Sequence, residues 1–151
     1  MNSIKRISII VILIALIAFA GCTGERQSGD SMQKPTYSLR TNFDEYENND
    51  LSAALFDEIL NGFSSDVWDF MVLSPDKPIN DCTFLQVGAP EEIVDYQYTL
   101  EIGFESRKTG LTMYRLYIGD KDMVLRCLID YWQEQKIPDI SFWEDVSAEM
   151  R

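Results

Sequence analysis

The stretch that decides the fold is residues 96–105, which read YQYTLEIGFE. Aromatic or aliphatic residues alternate with polar residues or glycine along this stretch. A period of two is the pattern of a β-strand with one face in the core and one in water. The connection 106–110 ends in Gly110, so residues 111–118 are predicted to pair back on this strand as a hairpin. Residues 68–73 and 82–87 are two further strand-like runs, each followed by a loop that contains proline.

Helical patterns flank this block of strands. Apolar residues recur at helical spacing up to about Asn61, with Asp50 or Ser52 as the N-cap and Gly62 as a left-handed C-terminal residue. A second helix is predicted to begin at Gly119 or Asp120. A last short helix, capped by Ser141, would carry Phe142, Trp143 and Val146. We therefore predict an α+β fold, a four-stranded antiparallel meander flanked by helices in the order α-β-β-β-β-α-α.

The amino-terminal residues have the pattern of a secretory leader. Lys5 and Arg6 precede residues 7–20, which carry no charge. As a helix this run is about 21 Å long, shorter than the hydrocarbon core of about 30 Å, so we expect a removable leader rather than a permanent span.

The end of the leader reads Phe19-Ala20-Gly21-Cys22. It resembles the lipobox of bacterial lipoproteins, in which a small residue and Gly or Ala precede a cysteine, although Phe19 stands where leucine is usual. The resemblance implies cleavage before Cys22 and acyl chains on Cys22 that hold the protein at a bacterial membrane, on its extracytoplasmic side.

Three segments follow from this reading. Residues 1–21 are the leader, residues 22–49 a lipid-anchored tether, and residues 50–151 one small domain. Residues 23–36 are rich in Gly, Ser, Gln and charge, as linkers are. Whether residues 37–49 pack on the domain stays open, because Tyr37, Leu39, Phe43 and Tyr46 could dock on it.

The chain is acidic and contains no histidine. Its net charge of −12 becomes −14 when the leader, with Lys5 and Arg6, is removed. This charge argues against nucleic acid and is compatible with a basic protein or small ligand as the partner. Without histidine the commonest general base and zinc ligand are missing. We therefore predict no enzyme, no cofactor and no metal site.

Two short matches are similar to motifs of the serine enzymes that act on penicillin: Ser74-Pro75-Asp76-Lys77 and Lys108-Thr109-Gly110. In that family the serine and lysine of the first motif lie one helical turn apart. Pro75 and Pro78 prevent a helix here, and the two matches are therefore not interpreted as a catalytic site.

Several residues are candidates for structural or binding roles. Cys82 and Cys127 could form a disulfide in an exported protein or remain as buried thiols, and we favour buried thiols. Glu101 and Glu105 lie on the polar face of the best strand and are a possible interaction surface. Trp143 is a possible exposed aromatic anchor.

The function that these features favour is a membrane-anchored lipoprotein that displays a small acidic binding domain. One alternative is a membrane-tethered inhibitor, since the size, acidity and element order loosely resemble the small immunity proteins that neutralise bacterial toxins. A carboxylate-based hydrolase is a third possibility, because paired acids can hydrolyse sugars.

Overall fold

The computed structural model describes residues 34–63, 67–89 and 98–150. The leader, Cys22, Tyr96 and Gln97 lie outside these described residues. The strands are β1 (Tyr37–Thr41), β2 (Glu45–Tyr46), β3 (Phe70–Pro75), β4 (Cys82–Gly88), β5 (Tyr98–Ser106), β6 (Gly110–Ile118) and β7 (Glu144–Asp145). The helices are α1 (Ala53–Phe63) and α2 (Lys121–Ile129), and α2 continues into a π-helical turn, Asp130–Glu134. Single 3-10 turns form at Asn48–Asp50 and Ser147–Met150.

The prediction of a four-stranded sheet flanked by helices in the order α-β-β-β-β-α-α is wrong. The described residues form one seven-stranded antiparallel sheet in the order β2-β1-β3-β4-β5-β6-β7, with α1 and α2 as their α-helices. The four predicted strands are present as β3 to β6. The last predicted helix is replaced by β7 and a 3-10 turn. β2 and β7 have two residues each, which is too short for any periodicity to be read.

Residues 37–49, which we assigned to the tether, are instead part of the domain. β1 lies between β2 and β3, and Tyr37 and Leu39 are buried in the core. The Tyr37 hydroxyl donates a hydrogen bond of 2.7 Å to the carbonyl oxygen of Tyr131. The two rings meet edge to face with their centroids 5.7 Å apart. The strand is therefore held by the sheet on one side and by the π-helical turn on the other.

The helix starts were predictable from side-chain chemistry. The Ser52 hydroxyl accepts a hydrogen bond from the backbone N–H of Leu55, and Asp120 accepts from those of Asp122 and Met123. The role predicted for Gly62 is wrong, because it lies inside α1 and its φ is not left-handed. A Cβ on Gly62 would clash with Cε3 of the Trp68 ring, so glycine is needed there for close packing.

The hydrophobic core lies between the two helices and one face of the sheet. The helices contribute five fully buried side chains: Phe56, Ile59, Leu60, Val124 and Leu128. The strands contribute alternate residues to the same cluster, among them Leu39, Leu73, Leu85, Leu100 and Ile102. We call this the inner face of the sheet. The opposite, outer face carries the other residues of each strand.

Candidate binding face

A row of aligned residues crosses the whole outer face. The strand registers place Glu45 opposite Arg40, Arg40 opposite Val72, and Val72 opposite Gln86. The row continues from Gln86 to Glu101, from Glu101 to Arg115, and from Arg115 to Glu144. We call these seven residues the central row. With strands about 4.8 Å apart, the row is about 29 Å long.

In the middle of the central row, an amide, a carboxylate and a guanidinium side chain are joined by hydrogen bonds. Arg115 Nε donates to Glu101 Oε1 at 2.7 Å, and its Nη2 lies 2.7 Å from the same oxygen. Gln86 Nε2 donates to the other carboxylate oxygen, Oε2, at 2.9 Å. Glu101 is only 4% exposed, although it lies on the outer face. The expectation that Glu101 offers a free carboxylate to solvent is therefore wrong.

The guanidinium of Arg115 serves two carboxylates. Its Nη1 lies 3.0 Å from Glu149 Oε2, and Glu149 is itself largely exposed. Burial of Arg115 lowers its pKa. The hydrogen bond to Glu101 and the negative charges of Glu101 and Glu149 have the larger, opposite effect, so the pKa of Arg115 is raised overall. Arg115 thus stays charged and ties β5, β6 and the carboxyl-terminal 3-10 turn together.

The carboxyl-terminal segment passes around the edge of β6. Trp143 belongs to the core cluster and is 8% exposed. Val146 follows β7, and its N–H donates to the carbonyl oxygen of Met113 at 2.9 Å. Met113 and Val146 are both buried but lie outside the main core cluster, in keeping with their positions on the outer face. The prediction that Trp143 is an exposed anchor is wrong, whereas its neighbour Phe142 is 62% exposed.

Apolar side chains flank the central row without joining the core. Phe70, Val72 and Phe84 are half-buried outer-face residues, and none of them belongs to the core cluster. Phe84 lies over Gly103, where a Cβ would clash with the Phe84 ring. Both helices bury their side chains in the core cluster on the inner face instead. The face therefore presents apolar surface beside a neutralised polar network.

Carboxylates lie at the periphery of the outer face. Glu45 and Glu144, the two ends of the central row, are exposed, and so is Glu105 near the end of β5. Of the candidate interaction residues, Glu105 alone has the predicted exposure. Arg40, Val72, Gln86 and Arg115 were missed, because their positions on one face follow from strand pairing that no local pattern encodes.

The two remaining cysteines are free thiols. Cys82 is fully buried, and its sulfur lies 3.3 Å from the hydroxyl of Tyr131. Burial raises the pKa of both thiols, and Cys127 is only half-buried on α2. Cys22, the predicted site of lipid attachment, lies outside the described residues. The structure thus shows thiols where the sequence left a disulfide open.

A shallow pocket of about 160 Å³ lies beside β1, lined in part by Glu47, Asn48 and Asp76. Residues 34–63, 67–89 and 98–150 contain no group of three or more acidic, cysteine or histidine side chains placed to hold a metal ion. Within the same ranges, no helix combines the length and apolar character needed to cross a bilayer. Ser74 lies in β3, so the helical spacing of serine and lysine is missing from that motif match.

Comparison with known proteins gives no relative: no family model, no curated protein and no solved structure matches this chain.

Proposed function

We propose that this chain is a bacterial lipoprotein whose domain binds another protein through the outer face of its sheet. The anchor rests on the leader pattern and on Cys22. With residues 37–49 inside the domain, the tether shortens to residues 22–36. The binding role rests on one observation, the seven-stranded outer face with its apolar side chains and central row.

A one-sided sheet favours binding for a physical reason. Phe70, Val72 and Phe84 are half-buried apolar side chains. Their removal from water by a partner would lower the free energy of the complex. In the Gln86–Glu101–Arg115 network both carboxylate oxygens of Glu101 already accept hydrogen bonds, so a partner need not supply donors to them. The face is also held in one shape by seven paired strands, which keeps the ordering cost of association low.

The anchor is tested on the native protein. The amino-terminal peptide of the membrane-extracted chain should begin at Cys22 and carry the mass of a diacylglyceryl group, and the Cys22→Ala variant should lose both cleavage and membrane retention. An unmodified Cys22, or a leader still attached, contradicts the anchor.

The binding role is tested by photo-crosslinking in living cells. A photoreactive amino acid replaces Val72 on the outer face or, as the control, Ala54 on the exposed side of α1. We expect a discrete protein adduct from position 72 and none from position 54. Equal adducts from both positions, or none from position 72, contradict binding through the outer face.

A further inference from the structure

The outer face has an uneven charge distribution. Its central row has three glutamates, Glu45, Glu101 and Glu144, against Arg40 and Arg115. Glu105 and Glu149 add two more carboxylates at the rim. Glu101 and Arg115 neutralise each other, and Arg40 lies opposite Glu45, so the five carboxylates exceed the two arginines by three and the excess lies mainly toward the β7 end of the row.

This distribution discriminates among occupants. Anionic lipid headgroups and nucleic acid would be repelled by the rim carboxylates. A second copy of the chain would bring a face of the same negative sign, and the mature chain carries −14 in total. A partner with positive groups outside and an apolar group between them matches both the rim carboxylates and the apolar side chains around Val72.

The dimensions of the row set the size of such a partner segment. The row is about 29 Å long, and an extended chain rises about 3.3 Å per residue, so about nine residues would span it. Basic residues near the two ends of the segment would meet Glu45 and Glu144. An aromatic or aliphatic residue near its middle would contact Val72, Phe70 and Phe84.

We infer that the partner presents to the outer face a basic protein segment with an apolar residue between flanking lysines or arginines. The inference rests on the proposed binding role and adds the chemistry of the partner. Its binding is expected to weaken with salt, since the rim charges are exposed and screened.

The test uses the full chain in phosphatidylcholine nanodiscs, which add no net lipid charge. The probe is a fluorescent peptide of about ten residues, long enough to span the row, with lysines at both ends and a central tryptophan. Binding is measured by fluorescence anisotropy. The control peptide has glutamate in place of every lysine, and it should not bind.

Two matched lysine variants test whether the peptide binds to the outer face. Val72→Lys, in the apolar part of the row, should weaken binding by about tenfold, as expected for loss of an apolar contact with added like charge. Ala54→Lys adds the same charge on α1 and should leave the affinity within about twofold, as for a charge distant from the contact. Equal weakening by both variants, or equal binding of the glutamate peptide, overturns the inference.

A second pair of variants at exposed positions keeps the test valid if Val72→Lys fails to fold. Glu144→Lys, at an exposed end of the row, should also weaken lysine-peptide binding, whereas Glu58→Lys on exposed α1 should have a smaller effect. The reverse order contradicts the inference. If position 72 crosslinks in cells to a protein segment that is acidic, the proposed function stands and this inference fails.

Discussion

Glu101 on β5 and Arg115 on β6 lie directly opposite each other, and Arg115 Nε and Nη2 both contact one carboxylate oxygen, Glu101 Oε1, at 2.7 Å. Their side chains are 6% and 15% exposed on the outer face, where the carboxyl-terminal 3-10 turn approaches Arg115 through Glu149. A nearly buried ion pair on an open sheet face is compatible with binding, because it removes free charge from the centre of the surface.

Removal of one member of this pair should destabilise the domain. Glu101→Leu or Arg115→Leu each leaves an uncompensated, largely buried charge or hydrogen-bonding group, at a cost of about 3 kcal/mol in the free energy of unfolding. The double variant should cost clearly less than the sum of the two. Urea unfolding of all four proteins gives the coupling energy, and strictly additive losses would show that the pair is not coupled.

Gly103 is predicted to be intolerant of a methyl group, whereas Gly88 is not. Alanine at Gly103 forces the Phe84 ring away and should cost about 1–2 kcal/mol. A Cβ on Gly88 meets only the Asp69 carbonyl oxygen, at 3.6 Å, an ordinary contact.

Thermal unfolding compares the two glycine variants, and Phe84→Ala provides the test of cause. In that background Gly103→Ala should lose most of its effect. The same loss with and without the Phe84 ring would refute the proposed clash.

The domain should lose stability in alkaline solution through Tyr37. Burial, followed by the charges of Cys82 and Asp76, raises the pKa of the Tyr37 phenol from its ordinary 10.0 to about 12. The folded state therefore favours the neutral phenol. The contribution of this phenol to the free energy of unfolding is fully present below pH 10 and is lost as the pH rises from about 10 to about 12.

The Tyr37→Phe variant isolates this contribution. At neutral pH it should be less stable by about 1 kcal/mol, since the hydrogen bond to the Tyr131 carbonyl is gone. Its stability should then fall less steeply than that of the parent chain above pH 10. Denaturant unfolding across this range measures both slopes, and parallel slopes would exclude Tyr37 as the titrating group.

The two thiols of the domain should differ in reactivity. Cys82 is fully buried beside Tyr131, and Cys127 is half-buried, so iodoacetamide should modify Cys127 at least about tenfold faster in the native protein. Peptide mapping by mass spectrometry follows each site separately. In urea the two rates should converge, and faster modification of Cys82 under native conditions contradicts the placement of β4 in the core.

Local patterns in the sequence predicted the elements that carry strong periodicity. The alternation from Tyr98 to Glu105, the hairpin closed by Gly110 and the N-caps Ser52 and Asp120 are all confirmed by the structure. These features depend on neighbours within a few residues, so the information is present in each short stretch.

Long-range pairing was not predictable in this way. β1 was placed in the tether, with the packing of residues 37–49 left open, and its place beside β3 depends on residues thirty or more positions away. Glu101 was assigned to the correct face, but its burial depends on Gln86 and Arg115 from neighbouring strands. Trp143 was predicted to lie on a short helix, but that helix does not form. Instead β7 pairs with β6, and Trp143 packs in the core.

The central claim is that the domain is exported and that a partner covers the outer face, and one measurement addresses both parts. Val72→Cys and Ala54→Cys variants, both in a Cys127→Ser background, are labelled with a membrane-impermeant maleimide, in intact cells and as purified protein. We predict that both variants label in cells and that only Val72→Cys labels more slowly there than when purified. Absence of labelling in cells, or the same ratio of rates for both positions, would contradict the account.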